Sequence, residues 1–170
     1  MKGKQGQGIA IDFLFAVLVF LVLLNASLAL IDSSSRSSAE KNTLAELNSR
    51  TMQILDMLVR TDGEPDEWQS LGISQVTVIG LAKRDRVLDV KKVEKFMEWA
   101  AEDYNKVKSL LLTGYPYYFR LSDYEGMVLE ETGRPGQQQR ENSIESNVKR
   151  IVNYNGGEAI AELTLYYPKA

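Results

Sequence analysis

Apolar side chains occupy nearly every position of residues 9–31, and the only strongly polar members are Asp12, Asn25 and Ser27. Such a stretch has no polar face. As a helix it would rise roughly 34 Å at 1.5 Å per residue, enough to cross a bilayer core of about 30 Å. Residues 32–43 then hold a single apolar residue, Ala39, and read as a polar linker or a solvated helical stretch. Helical spacing follows at once. Leu44, Leu47, Thr51, Ile54, Leu55 and Leu58 fall on one face, which predicts an amphipathic helix packed on a core through Leu47, Ile54 and Leu58. Arg60 suits a last turn, and Thr61-Asp62-Gly63-Glu64-Pro65 is a stop.

Downstream the period changes twice. Residues 75–82 read as a short strand. Asp89 is placed to cap a helix starting at Val90, with Val93, Phe96, Met97, Ala100, Tyr104, Val107 and Leu111 as its apolar stripe, ended by Gly114 and Pro116. Lys91, Lys92 and Lys95 read as its solvated face. The remainder reads as antiparallel sheet. A strand over 117–121 turns at 122–126 into a strand over 127–131, and a polar loop fills 132–142. Strands over 147–154 and 158–166 flank the hairpin signal Asn155-Gly156-Gly157. Ala159, Ala161, Leu163, Leu165 and Tyr167 alternate with more polar neighbours, so one face meets the helices.

Composition narrows the chemistry. The 170 residues include no Cys and no His. That excludes disulfides, thiolate nucleophiles, a Ser-His-Asp triad and an HExxH metal site. With 20 basic and 23 acidic residues the net charge is −3, which excludes nucleic-acid binding by bulk charge. Ser38-Ala39-Glu40-Lys41 has the spacing of Ser/Lys hydrolases but lacks their companion motifs. Glu130 and Glu131 are strand neighbours that face opposite sides, so they do not form an acid pair. The expectation is no enzyme, no cofactor and no metal.

The N-terminal run admits three readings: a retained membrane helix, a secretory signal cut after Ala29, or a buried core helix. Lys2 and Lys4 precede it, so a retained helix leaves residues 32–170 outside. Gly6-Gln7-Gly8-Ile9-Ala10-Ile11-Asp12-Phe13 resembles the class III signal peptide of archaeal type IV pilin-like proteins, in an uncharacterised surface-protein branch. Trp68, Gly80-Leu81-Ala82 and Tyr117-Tyr118-Phe119-Arg120-Leu121 share that look. The resemblance implies cleavage by a prepilin-type peptidase after Gly6, which makes Gln7 the new N-terminus, or after Gln7, which leaves Gly8 first. It also implies that Asp12 pairs with the N-terminal ammonium of a neighbouring subunit. Asp12 stands one place later than the family pattern when the cut follows Gly6.

The expected fold is α+β and type IV pilin-like: a long N-terminal helix, transmembrane then amphipathic, on a small antiparallel sheet with one further helix. The expected organisation is a basic leader over 1–8, a transmembrane helix over 9–31, a stalk and amphipathic helix over 32–62, and an α+β head over 63–170. The resemblance implies a structural surface protein anchored in the cell membrane, single-pass, with the head outside. Its partners would be the membrane, the peptidase and sister subunits in a type IV pilus-like filament or pseudopilus. The alternative is a single-pass anchored binding or sensor domain that does not polymerise.

Overall fold

The computed structural model describes residues 5–133, 136 and 140–169; within the first helix, side chains are described for residues 16–28 and from residue 42 onward. The chain divides into two units, Met1–Thr43 and Leu44–Ala170. Helix α1 runs Gln5–Arg60. The compact second unit therefore takes in residues 44–62 as well as the segment that follows them.

The second unit is built from α1's last turns, helix α2 (Val90–Glu102), helix α3 (Tyr104–Leu110) and eight strands. Strands β1 (Gly63–Glu64) and β2 (Val78–Ile79) form a small antiparallel pair. Strands β3 (Ala82–Arg84), β4 (Val87–Leu88), β5 (Tyr117–Ser122), β6 (Val128–Thr132), β7 (Ser143–Tyr154) and β8 (Gly157–Pro168) form one sheet in the order β3-β4-β7-β8-β5-β6. Neighbours are antiparallel except β4 and β7, which meet in parallel at Val87 and Asn153.

The type IV pilin-like fold expected from the sequence is corrected by this architecture. The sheet has six strands with one parallel pair, and two helices follow α1 instead of one. The apolar part of α1 with described side chains is confined to residues 16–28. Among the described residues no helix is long and apolar enough to cross a membrane. The physical reason for the misreading is the brevity of β3 and β4. Strands of two or three residues carry no period-two signal, and the residues beside them are tied to the end of α1. Leu81 N–H donates to Leu58 O at 2.7 Å and Arg86 N–H to Val59 O at 2.9 Å.

Leu47, Ile54 and Leu58 are buried in one apolar cluster with Phe96, Phe119, Leu121, Val148 and Leu163. Polar contacts place the same helix on β7: Ser146 bonds Asn48 at 3.2 Å, and Arg150 grips Asp56 with both Nε (2.8 Å) and Nη2 (3.3 Å). A bidentate pair fixes orientation more than it adds stability at this exposure. Asp89 caps α2 as its sequence suggests, accepting from Lys91 N–H at 2.9 Å and Lys92 N–H at 3.3 Å. The single helix expected over 90–111 is broken at Asp103, whose side chain accepts from Lys106 N–H at 3.0 Å and so starts α3. Asn155 (φ 52°) and Gly156 (φ 81°) both occupy the left-handed region that a two-residue hairpin loop between β7 and β8 demands.

One titration follows from the core. The rings of Tyr104 and Tyr117 stack at 4.7 Å. Tyr104 Oη accepts from Tyr117 N–H at 2.7 Å and donates to Tyr117 O at 3.0 Å. Burial holds both phenols above their ordinary range, Tyr117 furthest, with the neighbouring Tyr104 adding to it. Their folded values exceed the unfolded value of about 10, so their contribution is complete below pH 10 and lost as the pH rises beyond it. Thermal melts should therefore fall steeply above pH 10. Tyr117 Oη is buried without a partner among the described residues, so Tyr117→Phe should be neutral or stabilising at pH 7 and should flatten the alkaline fall. A Tyr117→Phe curve that keeps the wild-type alkaline slope would show that other groups control it.

Candidate functional site

Two features stand out: the exposed apolar run of α1 and a polar cleft on the second unit. From Val17 to Leu24 every side chain is exposed, between 40% at Val17 and 62% at Phe20. Eight consecutive helical residues point in all directions, so the run has no buried side and no polar side. Asn25 does not break the pattern, because its Nδ2 donates to Leu21 O at 2.8 Å within the helix. By contrast α2 buries Val93, Phe96, Trp99 and Ala100 along one stripe. Covering a side chain such as Leu or Phe is worth about 1.5–3 kcal/mol. A run of this length that no described residue covers is an unusually large exposed apolar surface.

Gly6, Gln7, Gly8 and Asp12, the expected processing and assembly residues, lie within the helical backbone of α1. Their side chains fall outside the described residues, as do those of Ser38–Lys41 and the loop residues 137–139. Leu47, Ile54 and Leu58 belong to the core of the second unit. Glu130 stands opposite Leu121 and Glu131 opposite Arg120, so the two carboxylates point to opposite faces of the sheet.

The cleft has a volume of about 750 Å³ and lies between α2's start and the ends of α1 and β7, lined by Asp62, Asp66, Glu67, Lys83, Lys91 and Lys92 among others. Lys92, expected on the solvated face, is only 5% exposed. The correction has a clear cause: its Nζ donates to Asp62 O at 2.8 Å and Ala82 O at 3.3 Å, tying the exit of α1 to β3. Buried carbonyls need such a donor. The lining offers no hydroxyl, thiol or imidazole, and among the described residues no group of three His, Cys, Asp or Glu is placed to hold a metal. The cleft is a place for hydrogen bonding by charges of both signs.

Of the downstream residues that shared the family look, Trp68, Leu81, Ala82, Tyr117, Phe119 and Leu121 are core residues, whereas Tyr118 and Arg120 are half-buried on the other side of β5. Trp68 is fully buried, its Nε1 donates to Gly80 O at 2.8 Å, and its ring lies 5.1 Å from that of Trp99. A Cβ at Gly80 would sit 2.2 Å from Thr61 O. Trp68 and Gly80 thus lock the turn after α1, and that packing accounts for them without a ligand. No family model, characterised protein or solved structure shows a significant match to the chain.

Proposed function

We propose that this chain is a structural surface protein whose N-terminal apolar helix is its anchor and assembly element, with the Leu44–Ala170 unit displayed outside the membrane. The observation that carries this reading is the run 17–24, apolar and exposed on every side. A helix that is hydrophobic all round belongs in lipid or among sister helices. In this reading a prepilin-type peptidase removes the short basic leader, and Asp12 pairs with the freed ammonium of a neighbouring chain. A carboxylate in an apolar helix is costly without such a partner. The second reading, an anchored binding domain that does not assemble, is favoured by the cleft around Lys92.

Mass spectrometry of the mature N-terminus separates the readings. The expected chain begins at Gln7 or Gly8 and retains the apolar run. A chain beginning at Met1 would leave the anchor and remove the peptidase. A chain beginning at Leu30 would overturn the proposal, since the protein would then leave the cell without its helix.

A further inference from the structure

The helices occupy one face of the six-stranded sheet, where Phe96 meets Phe119 at 5.5 Å and Asp56 meets Arg150. The other face carries two rows set by strand register, with an irregularity between Leu121 and Ser122 that places Val128 opposite Ser122. In the first, Ile151 pairs with Ile160, Ile160 with Ser122, and Ser122 with Val128. The ends of this row are exposed, Ile151 at 58% and Val128 at 43%, whereas Ser122 between them is buried. In the second, two residues along each of β7, β8 and β5, Lys149 pairs with Glu162, Glu162 with Arg120, and Arg120 with Glu131. Across four adjacent strands the charges read plus, minus, plus, minus.

That order is antisymmetric about its centre, between β8 and β5. A second copy turned by a two-fold axis parallel to the strands presents the same row reversed. Lys149 then faces Glu131 of the other copy, and Glu162 faces Arg120. Every charge meets its opposite, and Ile151 meets Val128. Aligned strand directions are the ordinary geometry of two sheets packed face to face. Isologous contacts of this kind need a self-complementary patch, and an alternating row of even length is one. Within one chain the members of the row already hold contacts, among them the bond that Asn147 Nδ2 donates to Glu162 at 2.6 Å. Lys149 Nζ reaches Glu162 at 3.3 Å, and Glu131 accepts from the Tyr118 hydroxyl. Arg120 spends Nη2 on Gly126 O, and its Nε is buried without a partner among the described residues.

We infer that this outer sheet face, centred on the Lys149–Glu162–Arg120–Glu131 row and the apolar row beside it, is a self-association surface that pairs the displayed units of two copies of this chain. The contact is separate from any association through α1 and does not depend on it.

The test is a charge-reversal mix on the full chain in detergent micelles, with the dissociation constant of the dimer read by sedimentation equilibrium. Wild type should dimerise in a concentration-dependent manner. Lys149→Glu alone sets like charges opposite each other twice per dimer, as does Glu131→Lys alone, and each should weaken dimerisation tenfold or more. Mixing the two variants makes every facing pair opposite again, so a heterodimer of wild-type strength should form. Lys149 and Glu131 sit on strands three spacings apart, about 14 Å, so rescue between them reports a contact between chains. The double variant Lys149→Glu/Glu131→Lys should likewise recover. Unchanged thermal melts confirm that each variant folds. A wild type that stays monomeric, single variants that dimerise like wild type, or a mixture that stays as weak as its components would each overturn the inference. Dimerisation equal in all samples would assign association to α1 alone.

Discussion

Leu58→Asp is expected to unfold the Leu44–Ala170 unit. Leu58 is fully buried among the core residues of that unit, and its backbone oxygen accepts the bond that seats Leu81 beside α1. Removing a buried leucine costs about 2–5 kcal/mol. Burying an unpaired carboxylate adds several more, or shifts its titration until it is neutral. The sum approaches the 5–15 kcal/mol that is the typical stability of a whole domain. Met52 is the control, since it lies on the same helix segment and is 40% exposed. Met52→Asp should leave the melt within about 0.5 kcal/mol, as surface changes usually do. Circular dichroism melts and limited proteolysis of the full chain would measure both. Equal, small effects at both positions would mean that residues 44–60 do not form part of the core.

What the sequence made legible divides along physical lines. Strong local chemistry was readable: the Asp89 cap, the left-handed Asn155-Gly156 turn and the alternation of Ala159, Ala161, Leu163 and Leu165, all now buried. Each depends on neighbours in sequence. Asp103 was missed because its apolar stripe runs on unbroken from Ala100 to Val107, and a cap inside a continuous stripe has no periodic signature. Lys92 was misplaced because lysines flanked by glutamates on a helix usually face water. Its burial depends on two carbonyls, of Asp62 and Ala82, that only the folded chain brings near. The parallel junction of β4 with β7 rests on the single pair Val87 and Asn153, far apart in sequence. A fold class inferred from the N-terminal motif had no access to that junction, so the motif and the Leu44–Ala170 unit are separate sources of information. The charge row was invisible for the same reason, since its four members become neighbours only through strand register.

The apolar run makes the second large prediction. Replacing Phe20 and Leu24 together by lysine should release the chain from lipid. On insertion scales a lysine near the centre of an apolar helix costs about 2.5–3.5 kcal/mol, while Phe and Leu each favour insertion by about 0.3–0.6. The pair therefore costs roughly 6–8 kcal/mol, a shift of about 10⁴–10⁶ in partition at 1.4 kcal/mol per tenfold. Both positions lie inside the exposed run, and no described contact of the second unit uses them. The melt of the Leu44–Ala170 unit should be unchanged. Flotation of the purified full chain with phosphatidylcholine liposomes would read the effect, with wild type in the floated fraction and the variant in the pellet. Residues 16–28 alone rise about 20 Å, so the proposed anchoring would also draw on the apolar residues that flank them in the sequence. A variant that floats like wild type would show that the run is not what holds the chain to lipid. The cleft around Lys92 and the outer sheet face would then be the surfaces through which the protein acts.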